Sequence, residues 1–132
     1  MRYLGIDYGM KRIGVAVSDA GGSIAFPHGI IHRRGNIFMF DQILSVIKRE
    51  KVDAAIVVGM PLGLDGRETE ESERVREFAK ELAAKISLPV EFENEMFSSR
   101  MATDAGVAKE HVDESSAALI LQSYLDKRSA DK

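Results

Sequence analysis

Residues 54–58 read AAIVV, a continuous apolar run with helical patterns on either side of it. Such a run is what a central strand needs when both of its faces are covered. Upstream, Phe40, Leu44 and Ile47 stand at i, i+4 and i+7, which predicts a helix from an Asn36 N-cap to about Glu50. Downstream, the turn-rich stretch GMPLGLDG leads into a second helix, from about Thr69 to Ile86. Its first turn is acidic, as the helix dipole favours, and Val75, Phe78, Ala79, Leu82 and Ile86 form its apolar stripe. Ahead of these elements, Tyr3 to Ile6 and Ile13 to Val17 read as short strands. The link from Asp7 to Arg12 is short enough for a hairpin, hence antiparallel pairing. A third strand is expected around Gly29 to His32 and another from Val90 to Glu93. Ser98 or Ser99 would cap a short helix, and a last helix should run from about Asp113 to Lys127. Strands come first and then helices alternate with strands, so the chain reads as one mixed-sheet α/β domain.

The chain of 132 residues is 45% apolar, enough for one compact domain with a real core. It has no cysteine, which excludes disulfides, thiolate metal sites and a catalytic thiol, and fits a reducing cytosol. The opening does not read as a signal peptide: Asp7 interrupts its apolar run, and Lys11 and Arg12 follow rather than precede it. No apolar run approaches the ~20 residues of a membrane helix. A formal net charge of -3 argues against a non-specific nucleic-acid coat. The basic clusters Lys11-Arg12, Arg33-Arg34, Lys48-Arg49-Lys51 and Lys127-Arg128 read by default as solvated surface, and the closing SADK as a frayed tail.

Three acids stand out by position: Asp7 at the end of the first strand, Glu95 just past the strand VEFE, and Asp113 at the start of the last helix. In α/β sheets, ligands gather where strands end and helices begin. Carboxylates brought together there repel unless a cation sits between them, and Mg²⁺ prefers such oxygen ligands. Two such ions about 4 Å apart activate water and stabilise the leaving oxygen in phosphodiester cleavage. Plainer readings stand beside this one. Taken alone, Asp113 is an N-cap and Asp7 a turn aspartate. Glu91, Glu93 and Glu95 alternate, and the sequence does not choose among them. The pattern Asp7-x-Gly9-x-x-x-x-Gly14 also fits a phosphate cradle of the actin-like kind, although that fold needs a second domain for which this chain is too short. His28, His32 and His111 have no paired metal spacing and read as surface or satisfied histidines. Tyr3, Phe92 and Tyr124 read as core.

GIDYGMKRIGVAVSD, IVVGMPLGLDG, RVREFAKEL and VDESSAALILQSYLD, in this order, together resemble the YqgF (RuvX) family of bacterial pre-16S rRNA nucleases, which look like Holliday-junction resolvases. The resemblance spans nearly the whole chain. It implies a ribonuclease H-like fold, with a five-stranded mixed sheet flanked by helices over residues 1–132. It implies an acidic site of Asp7, Glu95 and Asp113 holding Mg²⁺ or Mn²⁺, beside a loop shaped by Gly59, Pro61 and Gly66. The implied substrate is structured RNA, a ribosomal precursor, cut in the cytoplasm with no membrane involved, by a monomer or homodimer. With an acidic chain, binding would rely on a local basic face, for which Lys11, Arg12 and Arg100 are the candidates.

The chain departs from the family at Asn94 and Met96, which flank Glu95 where the family usually has Asp and Arg. Without that arginine the stretch lacks a bidentate grip on phosphate, which Met96 does not replace. The stretch from Ala102 to Val112 is also shorter than usual. These departures keep a non-catalytic nucleic-acid or ribosome-binding module in view. A DNA-junction resolvase is the other alternative, and it requires a stable dimer because a junction has two strands to cut.

Overall fold

The computed structural model describes residues 1–94 and 112–130. The order of elements is β1 (Tyr3–Tyr8), β2 (Arg12–Ser18), β3 (Ala25–His32), α1 (Asn36–Arg49), β4 (Ala55–Met60), α2 (Glu70–Ala83), β5 (Val90–Asn94) and α3 (Val112–Ala130). One five-stranded sheet runs in the order β3-β2-β1-β4-β5. β1 to β3 form the antiparallel hairpins, and β4 and β5 lie parallel to β1. All six residues of β4 are buried, as a strand covered on both faces requires.

The two faces of the sheet are packed differently, and alternation along the strands explains how. Leu4, Ile6, Ile13, Val15, Val17, Ile56 and Val58 point into a large core with Phe40, Ile43, Val46, Val75, Phe78 and Leu82, under α1 and α2. The opposite face carries smaller side chains. Among the described residues, Tyr3, Ala16, Ala55 and Val57 meet Ala117, Ile120, Leu121 and Leu125 of α3. A Cβ on Gly5 would lie 2.8 Å from Leu121 Cβ and 2.9 Å from the Ala117 carbonyl, so α3 rests directly on the β1 backbone.

Several sequence expectations are corrected. Asn36 is the first residue of α1, not its cap. Gly35 occupies the cap position at φ 91°, which only glycine adopts readily, and no side chain caps the helix. The buried stripe of α1 is Met39, Phe40, Ile43 and Val46, while Leu44 and Ile47 are only half-buried. β3 begins at Ala25, four residues early, and accommodates Pro27 as an edge strand can. α3 continues through Ser129 and Ala130 rather than fraying. Phe92, read as core, is 36% exposed on the edge strand β5 and is covered by the Arg76 guanidinium at 5.3 Å. Arg128 is exposed, as expected of surface, and lies over Tyr3 and Tyr124 at 5.7 and 5.8 Å. His28 sits 3.5 Å from Glu50, a surface partner as expected. Ser98, Ser99 and the stretch 102–111 lie outside the described residues.

Asp19 follows β2 at the edge of the sheet opposite Asp7 and has a structural role. Its carboxylate accepts the backbone N–H groups of Ser23 at 2.8 Å and Ile24 at 3.0 Å, and these hold its pKa below the ordinary value. A depressed folded pKa stabilises above the unfolded pKa, and that contribution is lost as pH falls through the folded one. Asp19→Ala should therefore lower Tm at neutral pH. The gap to the unaltered protein should close as both are titrated into acid, below the ordinary carboxylate range, in pH-dependent calorimetry.

Candidate functional site

Asp7 lies where β1 meets the rim of the sheet. Tyr3 and Gly5, four and two residues before it, face α3, so alternation puts Asp7 on that face as well. Its neighbour on β2 is Gly14. On the other side, one step beyond the Ile6–Val58 pair, comes Gly59 of β4. The half-buried Asp7 carboxylate thus stands between two residues without side chains. Glycine at such strand positions marks a bend or a place where a ligand or another stretch of backbone approaches the sheet closely.

The direction of α3 is fixed by what it touches. Tyr124 packs on Tyr3, with ring centroids 5.8 Å apart, and Ala117 and Leu121 lie against Gly5. The helix therefore runs against β1, and its first turns point toward the Asp7 end. Asp113 belongs to the first turn of α3, one helical turn before Ala117 on the side of that end.

The alternating glutamates of β5 also resolve in part. Glu93 pairs with Gly59 and so shares the cross-sheet row of Asp7. It is only 7% exposed and is held by α3: Ser123 Oγ donates to it at 2.6 Å, and Lys127 Nζ lies 2.8 Å away. Lys127, read as a solvated cation, is thus half of a structural ion pair. Glu91 accepts a hydrogen bond from the Tyr124 hydroxyl. Both acids are engaged by α3. Glu95, Arg100, Met96 and His111 lie outside the described residues. Among the described residues, no three His, Cys, Asp or Glu side chains stand together in a way that could hold a metal ion.

The turn after Asp7 is braced by Arg33, which reads from the sequence as a surface cation. The Arg33 backbone N–H donates to the Lys11 carbonyl at 3.0 Å. Its guanidinium donates to the carbonyls of Gly9 at 3.1 Å and Met10 at 3.3 Å, and lies 4.8 Å from the centroid of the Tyr8 ring. Tyr8 in turn stacks on Phe78 at 4.2 Å, and Phe78 on Phe40 at 5.7 Å. A chain of contacts thus ties the turn carrying Lys11 and Arg12 to the core. Nothing local in the sequence announces a contact between residues 24 positions apart.

The loop after β4 opens at the same rim and is closed on itself. Gly63 N–H donates to the Arg67 carbonyl at 2.8 Å, Gly66 takes φ 80°, and the Ser72 hydroxyl donates to the Pro61 carbonyl. Thr69 caps α2 in a capping box with Ser72. Arg76 grips both oxygens of Glu68 at 2.6 Å, which lowers the Glu68 pKa. The tip of the loop, Leu64, is 99% exposed.

A family model described as "RuvX: Holliday junction resolvase" matches residues 1–127. A protein of Maridesulfovibrio salexigens named "Putative pre-16S rRNA nuclease" is 38% identical over 95% of this chain and 98% of its own length. One of the same name from Nitratidesulfovibrio vulgaris is 43% identical over 96% of this chain and 94% of its own. Among solved structures, T. thermophilus RuvC in complex with a Holliday junction substrate superposes with a TM-score of 0.65. It is 17% identical, with 98% of this chain and 96% of that chain covered, a likeness in fold.

Proposed function

The chain belongs to the RuvX family, and we propose that it is a metal-dependent nuclease whose site lies where the Asp7 end of β1 meets the first turn of α3. What supports this is the antiparallel seating of α3 on β1, which directs the first turn of α3, where Asp113 lies in the sequence, toward the Asp7 end of the strand. Glu91 and Glu93 are already engaged by Tyr124, Ser123 and Lys127, which favours Glu95, the next acid in the sequence, as the third member of the site. The proposed set is three carboxylates with no thiolate or imidazole, the donor chemistry that suits Mg²⁺ or Mn²⁺. Such an ion, when bound, supplies charge stabilisation at the phosphoryl oxygen and a more acidic water.

In this reading the chain's own residues divide the work. Asp7 and Asp113 hold the cation, and Glu95 is a third ligand or the orienter of the attacking water. Gly14 and Gly59 give the scissile phosphate room beside Asp7. Lys11, Arg12 and Arg100 meet flanking phosphates.

We infer structured precursor ribosomal RNA as the substrate, because relatives alike over nearly their whole length carry that name. Cleavage in the cytoplasm follows from that substrate. No helix among the described residues is long and apolar enough to cross a membrane. The description of the family model favours a second reading, resolution of DNA junctions. Incubation with precursor 16S rRNA and with a four-way DNA junction, each with Mg²⁺, Mn²⁺ or EDTA, separates the two. The expected outcome is metal-dependent cleavage of the RNA. Cleavage of the junction alone, by a species whose solution mass is that of a dimer, would replace this reading with the second.

A further inference from the structure

The sheet register brings Arg33 and Arg34 to the rim that carries Asp7. β2 starts at that rim, and β3 ends there, with Arg12 paired to His32. The Arg33 N–H bonds to the Lys11 carbonyl, so the β3–α1 link lies against the β1–β2 turn. Two pairs of cations, far apart in sequence and each unremarkable alone, thus form one basic edge on a chain of net charge -3. Arg33 spends its guanidinium on Gly9, Met10 and Tyr8. Arg34 does not: it is exposed and lies over the Phe38 ring at 5.9 Å. Nothing nearby in sequence cancels its charge, since the first turn of α1 contains no acid.

Resting on the nuclease reading above, we propose that Arg34 is a phosphate anchor for the duplex arm of the substrate, on the β3 side of the cleavage site. Two interstrand spacings of about 4.8 Å separate the end of β3 from β1, so the anchor lies about 10 Å to one side of Asp7. The phosphate it holds is therefore one on the flanking arm and not the scissile one. A backbone contact of this kind is independent of sequence, and it sets the register of the substrate on the enzyme. Phe38 keeps the long arginine side chain on that side of the rim, which reduces the entropy lost on binding.

Anisotropy of a fluorescein-labelled RNA duplex of two helical turns, titrated in EDTA over a series of salt concentrations, tests this apart from cleavage. Each phosphate contact contributes about 1 to the slope of log K against log salt, so Arg34→Ala should lower that slope by about 1 and weaken binding severalfold at low salt. Arg34→Lys should keep most of the slope. Lys80→Ala, in the last turn of α2 at the opposite edge of the sheet, should leave it unchanged. In cleavage assays Arg34→Ala should raise KM with kcat unaltered, the mark of a contact made equally in ground and transition states. An unchanged slope for Arg34→Ala, or an equal fall for Lys80→Ala, overturns the anchor. If the unaltered protein cleaves RNA while that happens, the nuclease reading stands. Duplex binding with the expected slope change, but no cleavage by the unaltered protein under any metal, supports the anchor and overturns the nuclease reading.

Discussion

Asp7→Asn should abolish metal-dependent cleavage, by about 10³-fold or more, while leaving Tm unchanged or higher. A factor of 10³ corresponds to about 4 kcal/mol of transition-state stabilisation. The amide keeps the size of the side chain and one acceptor oxygen, so packing beside Gly14 and Gly59 is preserved. It loses the charge that holds a dication. Asp7 shares its face of the sheet with the buried Glu93, in the same cross-strand row. Carboxylates at one rim repel when no cation is bound; neutralising one relieves that repulsion, and the amide keeps a polar group for the contact that Asp7 makes. The two readouts together separate a catalytic acid from a structural one: a structural aspartate, such as Asp19, loses stability when its carboxylate goes. Cleavage rates measured beside a thermal melt check both halves, and unaltered cleavage would remove Asp7 from the site.

Gly5→Ala should lower stability by about 1–3 kcal/mol, the usual cost of forcing a methyl group into a filled interior. The neighbours it would meet are the Cβ of Leu121 and a helix carbonyl, neither of which is the free end of a flexible chain. Relief must come from lifting α3 off β1. That movement is felt one turn away, at Asp113, so kcat should fall more than the drop in folded protein explains when both are measured below the melting range. Denaturant unfolding gives the stability, and metal-dependent cleavage at a temperature where the variant is fully folded gives the second effect. A variant that is destabilised but cleaves normally would show that the seating of α3 on Gly5 does not position the site.

The elements legible in the sequence are those whose pattern is local. The AAIVV run is the buried β4, and the stripe Val75, Phe78, Ala79 and Leu82 is the buried face of α2. The hairpin of β1 and β2 follows from its short link. The stripe of α1 is harder to place because two apolar rows lie side by side on it. Which row faces the sheet depends on how the chain enters the helix, and that is set by the positive φ of Gly35. Phe92 suggests core because an aromatic side chain in a strand usually packs, but β5 is an edge strand. The candidate acids are visible as residues that end strands or open helices. Whether they group is not, because that depends on the direction of α3, and that direction is set by Tyr3, Gly5, Ala117 and Tyr124 from opposite ends of the chain. The engagement of Glu93 by Ser123 and Lys127 and the brace of Arg33 on the turn after Asp7 are equally non-local. Patterns along a sequence report burial and period; they do not report which long side chain crosses from one element to another.

Whether Asp7, Glu95 and Asp113 share one cation is tested most directly by a crystal soaked in Mn²⁺ and measured at a wavelength where manganese scatters anomalously. The expected result is an anomalous peak in contact with all three carboxylates, gone when Asp7→Asn crystals are treated identically. A peak bound elsewhere with these three left bare, or carboxylates facing away from one another in a manganese-saturated crystal, would contradict the proposed site.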